Sequence, residues 1–200
     1  MTDTKHCLTP GVLLSLLLTQ VTGTAYATET LIQPQQVISS VTTDWNDDGA
    51  FDRAVLVDAG SEDGADLYIY LSDRAAENGD SMKLNVFMPG FAWKGNLWGM
   101  QPSLALNDAN SLIVRTENTG IGREAWNQKL TVAWRDGQFI VAGYTYDSYD
   151  RIDPDNVLNC DLNLLTGRGI RNGKDVTVPV KKVPLKEWTY TAVQTVCFEE

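Results

Sequence analysis

Residues 44–52, with the sequence DWNDDGAFD, place oxygen-bearing side chains at regular spacing in a short polar segment. Calcium takes about six to eight oxygen ligands, and a tight loop supplies them from its first, third, fifth, seventh and ninth positions. Gly49 stands at the sixth position, where such a loop turns sharply. The spacing therefore predicts a calcium site. Four side chains and one backbone carbonyl form the predicted ligand set: Asp44, Asn46, Asp48, Ala50 (through its carbonyl) and Asp52.

A metal-free turn is the simpler alternative for this segment, because Asp, Asn and Gly favour turns without any ion. Three carboxylates at these positions would repel one another without a cation, which favours the metal site. Calcium fits better than magnesium, which prefers a strict octahedron and keeps several waters. The twelfth position is Val55 rather than the glutamate of an EF-hand, and runs rich in valine and isoleucine flank the loop.

The flanking runs QQVISSVT and RAVLVDAG complete a pattern of strand, D-x-N-x-D-G-x-x-D turn and strand over Gln36–Ala59. This pattern resembles the calcium loops of FG-GAP and VCBS-type β-repeats. More loosely, LTVAWRDGQFIVAGYTYD followed by NLLTGRG resembles the latter half of small exported bacterial proteins of largely uncharacterised function. The resemblance implies a β architecture with calcium in a strand-joining loop, and it implies no activity. The sequence has no second complete loop, so a closed propeller of about four blades is not expected.

Alternating apolar and polar residues dominate the chain, and no segment after the first 27 residues has a helical pattern. Tight turns are predicted at Asp136-Gly137 and at 107–110. These patterns predict an all-β fold, with an antiparallel sandwich, a barrel or a partial propeller-like arrangement as alternatives. The predicted strands are Gln36–Thr43, Arg53–Ala59, Asp66–Ser72, Met82–Phe87, Ser103–Asn107, Ser111–Thr116, Lys129–Arg135, Gln138–Tyr146, Asp161–Leu165, Asp175–Val180 and Thr189–Phe198.

The first 27 residues have the features of a secretory signal peptide: a basic start, a short apolar run over Val12–Leu18, and AYA at the end. The run is far shorter than the ~20 apolar residues of a membrane-spanning helix. Cys7 precedes the run, so it does not match the lipid-bearing cysteine of a lipoprotein. We therefore predict a signal peptide over residues 1–27, a single all-β domain over 28–200, and export to a periplasm or outside the cell. A retained amphipathic anchor is the alternative.

Removal of residues 1–27 takes away His6, the one histidine of the chain, together with one acid and one base. A chain without histidine has no Ser-His-Asp or Cys-His catalytic site and no His-ligated zinc. The net charge stays at −10, which argues against nucleic acid and an anionic membrane surface as partners. A cationic partner is compatible with this charge, although acidity serves solubility in many proteins.

Two cysteines, Cys160 and Cys197, lie beyond the signal peptide. An even number of cysteines in an oxidising compartment predicts a disulfide, and two buried free thiols are the alternative. The segment FMPGFAWKGNLWGMQP contains Phe91, Trp93 and Trp98 among glycines and a proline. Such aromatics form either a ligand platform for sugars or peptides or a cap on the core, and the core interpretation is favoured.

The sequence favours a binding or structural module rather than an enzyme. It contains no G-x-S-x-G, no H-E-x-x-H and no phosphate-cradling glycine loop, and it singles out no catalytic residue. The hypothesis is an exported calcium-binding β domain whose partner is an unidentified protein or glycan. Two alternatives are a carboxylate-based glycan hydrolase and an acidic inhibitor of a cationic wall-degrading enzyme.

Overall fold

A computed structural model describes residues 32–58, 60, 64–74, 81–97, 99–179 and 182–199. The predicted signal peptide, residues 1–27, lies outside these residues. Within the described ranges, no helix has the length and apolar character that crossing a membrane requires.

Strands and two short 3-10 helices make up most of the described chain, and one α-helix, α1 (Thr191–Cys197), lies near its end. The 3-10 helices are Pro34–Gln36 and Leu185–Glu187. The strands are β1 (Val37–Thr43), β2 (Asp52–Val57), β3 (Ala65–Asp73), β4 (Ser81–Ala92), β5 (Ser103–Leu106), β6 (Leu112–Asn118), β7 (Glu124–Arg135), β8 (Gln138–Asp150), β9 (Val157–Asn163), β10 (Arg168–Arg171), β11 (Lys174–Thr177) and β12 (Val183–Pro184).

The strands form two antiparallel sheets. Sheet A has the order β1-β2-β3-β4, and sheet B has the order β11-β10-β9-β8-β7-β6-β5, with β12 paired to β8. Apart from β12, neighbours in each sheet are consecutive in the chain, as expected when short turns join antiparallel strands. The all-β prediction is confirmed. Of the three alternatives the sandwich is the one observed, and the described strands form no closed barrel.

The core lies between the sheets and takes alternate residues from their strands. Leu67 and Ile69 in β3 and Leu112 in β6 are fully buried members of one hydrophobic cluster. Because side chains point to opposite faces at alternate positions, each strand has one core face and one outer face. Complete burial of such a side chain contributes roughly 1.5–3 kcal/mol to stability.

Two-residue turns set the register of two hairpins in sheet B. Asp136 and Gly137, with φ of 51° and 78°, join β7 to β8 and confirm the predicted turn. Positive φ at both residues suits the right-handed twist of paired strands. Asn172 and Gly173, with φ of 47° and 74°, form a second turn of this kind between β10 and β11. Strand β10 was not predicted, because its four residues, RGIR, include a glycine and two arginines.

The prediction of a strand over Thr189–Phe198 is wrong, and so is the expectation of no helix after the signal. Residues 191–197 form α1, and its buried residues are Val193 and Cys197. Their spacing of four residues places both on one helical face, whereas the Thr and Val content of the segment favours a strand. Tertiary packing outweighs that local preference.

The predicted disulfide is confirmed. Cys160 in β9 and Cys197 in α1 are bonded, with 5.7 Å between their Cα atoms and both residues buried. The bond closes a segment with a sequence separation of 37. In the chain-entropy model a loop of this size is worth roughly 3–4 kcal/mol. The disulfide therefore holds α1 against the inner face of sheet B.

Candidate metal centre

The acidic segment of the sequence forms the loop between β1 and β2, in sheet A. Thr43 at the end of β1 pairs with Asp52 at the start of β2, so the loop closes a hairpin. Gly49 has a φ of 83° and Asp47 a φ of 59°. Glycine adopts this left-handed conformation without a steric cost, and aspartate tolerates it better than most residues. The loop joins two paired strands, as the sequence predicted.

Backbone amides of the loop bind its own carboxylates. The Asp48 N–H donates to Asp44 Oδ1 at 3.3 Å, and the Gly49 N–H donates to Asp44 Oδ2 at 2.8 Å. The Ala50 N–H donates to Asp48 Oδ1 at 2.7 Å, and Asn46 Nδ2 donates to Asp48 Oδ2 at 3.1 Å. These bonds fold the loop around its acidic side chains, which fixes the position of the carboxylate oxygens.

Asp52 is fully buried, and each of its two oxygens accepts a backbone amide. The Trp45 N–H donates to Oδ2 and the Ser72 N–H donates to Oδ1, both at 2.9 Å. Burial raises the pKa of Asp52, and the negative charges of Asp44 and Asp48 raise it further, although the two amides act in the opposite direction. Asp52 thus connects the loop to β3, and its carboxylate lies close enough to Asp44 and Asp48 to be affected by their negative charges.

Asn110, in the turn between β5 and β6, fastens the same loop to sheet B. Its Nδ2 donates to the Asp44 carbonyl at 2.9 Å, and its Oδ1 accepts from Thr43 Oγ1 at 2.7 Å. The Trp45 indole Nε1 donates to the Asn110 carbonyl at 3.0 Å. Three hydrogen bonds to one residue place the acidic loop at the junction of the two sheets.

The Trp45 ring strengthens this junction by packing between the sheets. It is 7% exposed and meets the Phe139 ring of β8 edge to face, with the ring centroids 5.3 Å apart. Phe139 in turn packs on Trp134 at 4.8 Å. Aromatic contacts of this geometry add about 0.5–1.5 kcal/mol beyond the burial of their area. A change in loop conformation that moves Trp45 would therefore alter the packing of Phe139 in the core.

The donor chemistry of the loop suits calcium, but its side chains do not converge as a finished cage. Asp44 Oδ1 and Asn46 Oδ1 each lie 3.3 Å from the Asp48 amide nitrogen, so these two oxygens lie near each other. Among the described residues, no three His, Cys, Asp or Glu side chains come together closely enough to hold a metal. A carboxylate oxygen that accepts one amide keeps a second lone pair for an ion.

Basic residues leave most of the loop charge unpaired. No lysine or arginine among the described residues forms an ion pair with the three loop carboxylates. The ion pairs among these residues are Lys94–Asp58 and Arg123–Asp150, and neither involves the loop. The Arg74 guanidinium lies against the loop backbone at Gly49. A Cβ built on Gly49 would stand 2.5 Å from Arg74 Nη1, which is closer than van der Waals contact allows. Arg74 is therefore a candidate counter-charge within the protein.

The three aromatic residues of the predicted platform differ in exposure, and one of them lies outside the described residues. Phe91 ends up in the core at 8% exposure, which agrees with the core interpretation. Trp93 is 36% exposed and packs edge to face on Trp126, with centroids 5.0 Å apart. Trp98 lies outside the described residues. The segment is partly strand, because β4 extends through Ala92.

A different group of aromatic residues stands on the outer face of sheet A. Tyr68 stacks on Tyr70, with centroids 6.2 Å apart, and contacts Phe87 at 4.8 Å. The spacing of the two tyrosines in one strand places them on the same face, so the sequence held that signal. Which face would be the outer one depends on the packing of the sheets.

The chain matches no protein-family model, no curated protein and no solved structure. The resemblance to FG-GAP and VCBS-type repeats stays a prediction from the sequence of the acidic loop and its flanking runs.

Proposed function

We propose that the protein is an exported calcium-binding β domain in which the ion fixes the junction between the two sheets. The observation that supports this proposal is the position of the acidic loop. The loop carries three carboxylates, of which Asp44 and Asp48 act electrostatically on buried Asp52. It lies at the point where Asn110 and Trp45 connect sheet A to sheet B. An ion bound there would stabilise the packing of one sheet on the other.

The stabilisation by the ion would be electrostatic. Like charges held close together raise the free energy of the folded state, and a divalent cation reverses the sign of that interaction. Asp44, Asn46, Asp48 and Asp52 would hold the ion with their side-chain oxygens, and Ala50 with its carbonyl. Bound calcium would supply positive charge, which these oxygens would coordinate, and the role of the protein would be structural or binding.

Export is part of the proposal. The first 27 residues have the composition of a signal peptide. The Cys160–Cys197 disulfide is of a kind that forms and persists in oxidising compartments. These two observations agree, and they point to a periplasmic or extracellular location.

The proposal is tested by thermal and urea unfolding with calcium and with chelator. An ion that binds only the folded state stabilises it by about 2.7 kcal/mol at a hundredfold excess over the dissociation constant. We expect this gain for the natural sequence and its loss in Asp44→Ala. Asp47→Asn is the matched control, because Asp47 lies in the same loop, is exposed and is outside the predicted ligand set. It should retain the calcium effect.

Arg74 offers the competing explanation, in which an internal cation offsets the loop charge. Arg74→Gln distinguishes this explanation from calcium binding. If calcium and chelator give equal unfolding curves while Arg74→Gln is destabilised, the loop charge is balanced from within and the calcium proposal is wrong. The glycan hydrolase and the acidic inhibitor stay predictions.

A further inference from the structure

A groove of about 540 Å³ lies on sheet B, across β6, β7, β8 and β9. Ligand sites are typically concave and have volumes of roughly 300–1,000 Å³. Most of its lining side chains alternate along the strands with residues of the core, so they lie on the outer face of the sheet. The pairing register arranges these side chains in three rows that cross the strands.

The first row is mainly basic. Arg115 in β6 pairs with Lys129 in β7, which pairs with Thr145 in β8. Directly paired residues on one face have Cβ atoms about 4.5–5.5 Å apart, so their side chains are neighbours. This row offers hydrogen-bond donors at one end of the groove.

The second row contains acids and amides. Glu117, Asn127, Asp147 and Asn159 are paired in this order across the four strands. The Asn159 Nδ2 donates to Asp147 Oδ1 at 2.8 Å, which holds these two side chains in place. The row offers both donors and acceptors, because each asparagine carries an NH2 group that donates and a carbonyl oxygen that accepts.

The third row is apolar. Ala125 pairs with Tyr149, which pairs with Val157. Ala125 is 1% exposed and small, so it forms a floor, while Tyr149 is 52% exposed beside it. The row places an accessible aromatic ring next to a shallow space, two residues along the strands from the amides.

The charge of the groove differs from that of the whole chain. Its lining contains Arg115 and Lys129 together with Glu117 and Asp147, so the formal charges balance, whereas the chain carries −10. A balanced site does not favour a strongly anionic or cationic ligand. A ligand rich in hydroxyl groups matches donors and acceptors of both signs and can lay an apolar ring face on an aromatic side chain.

We propose that this groove binds a neutral oligosaccharide. Asn127, Asp147 and Asn159 bind its hydroxyl groups, Arg115 and Lys129 donate at one end, and Tyr149 contacts a sugar ring at the other. The groove is in sheet B and shares no lining residue with the acidic loop. The inference is therefore independent of the calcium proposal.

The test is isothermal titration calorimetry of the full-length exported protein, in calcium and again in chelator. The probes are three neutral hexasaccharides (cellohexaose, maltohexaose and chitohexaose), with hexagalacturonate and hexaglucosamine as anionic and cationic comparisons. We expect at least one neutral probe to bind more tightly than either charged probe, with the same affinity in both buffers. Failure of calcium to stabilise the fold would leave this result unchanged, so the two proposals fail separately.

Variants locate the binding. Tyr149→Ala and Asn127→Ala should each weaken it at least about tenfold, which corresponds to 1.4 kcal/mol. Tyr149→Phe keeps the ring and should stay within about twofold of the natural affinity. Phe87→Ala, which removes an exposed aromatic side chain from sheet A, should have no effect.

Three results would overturn the proposal. These are no binding of any neutral probe at about 5 mM, tighter binding of a charged probe, or unchanged affinity in both Tyr149→Ala and Asn127→Ala. Both substituted residues are exposed, so unfolding curves matching the natural protein are expected and would exclude loss of fold as the cause.

Discussion

Asp52 and Asp150 are two buried carboxylates with different hydrogen-bond and charge partners. Asp52 begins β2, is 0% exposed and accepts backbone amides on both oxygens. Asp150 ends β8, is 7% exposed and accepts the Ile152 N–H at 2.8 Å. Asp150 also accepts the Arg123 Nε at 2.6 Å, whereas Asp52 has no such partner among the described residues.

The pKa values of the two groups follow from this difference. Arg123, helped by the Ile152 amide, lowers the pKa of Asp150 to about 2. Burial and two neighbouring acids raise the pKa of Asp52. Asp150 therefore receives a cation from a distant part of the chain, whereas Asp52 is a buried acid beside two more acids. This contrast is why an external cation is proposed at the β1–β2 loop and not at the end of β8.

The largest expected effect comes from removing the Asp52 carboxylate. Asp52→Ala leaves the buried amides of Trp45 and Ser72 without acceptors, at about 1–3 kcal/mol for each. We expect a loss of about 2–6 kcal/mol in urea unfolding with chelator present. Asp52→Asn keeps one acceptor and should lose about half as much. A loss below about 1 kcal/mol for the alanine variant would show that water satisfies these amides.

A smaller effect is expected from removing the cation beside Asp150. Arg123→Gln should lower stability at pH 7, because it leaves a buried carboxylate without its ion pair. The folded-state pKa of about 2 lies below the ordinary value of 3.8. The stabilisation is therefore complete above 3.8 and is lost as the pH falls through 2. Urea midpoints from pH 7 to pH 2 should show the natural protein and the variant converging. A constant gap would contradict this account.

The smallest expected effect is that of Asp48→Asn, whose change in stability should have opposite signs in chelator and in calcium. In chelator, Asp48→Asn should raise stability by about 0.5 kcal/mol. It removes one charge near Asp52 and keeps an acceptor for the Ala50 amide, and this gain should outweigh the loss of the hydrogen bond from Asn46 Nδ2. With calcium the same variant should be less stable than the natural protein, because it loses a charged ligand. Unfolding curves in the two buffers measure both differences. An equal change in both buffers would mean that Asp48 does not contact an ion.

Local features of the sequence predicted much of this architecture. The Asp136-Gly137 turn, the strand-loop-strand segment around Gly49 and the strand alternation depend on neighbouring residues, and the structure contains all three. The helix α1 was missed because a seven-residue segment rich in Val and Thr satisfies strand preference as well as helical spacing. For Phe91 the sequence favoured the core interpretation without excluding a ligand platform, since an aromatic residue suits either a core or a ligand surface.

The sequence by itself determined where the acids, turns and cysteines stand along the chain, because these are properties of residue type and spacing. Only the tertiary structure decided which acid receives a cation. Arg123 and Asp150 are 27 residues apart and meet because β7 and β8 pair at their ends. Asn110 reaches Asp44 across 66 residues because the sheets pack together. Such contacts depend on strand pairing and sheet packing, which bring distant residues together and which no local pattern records.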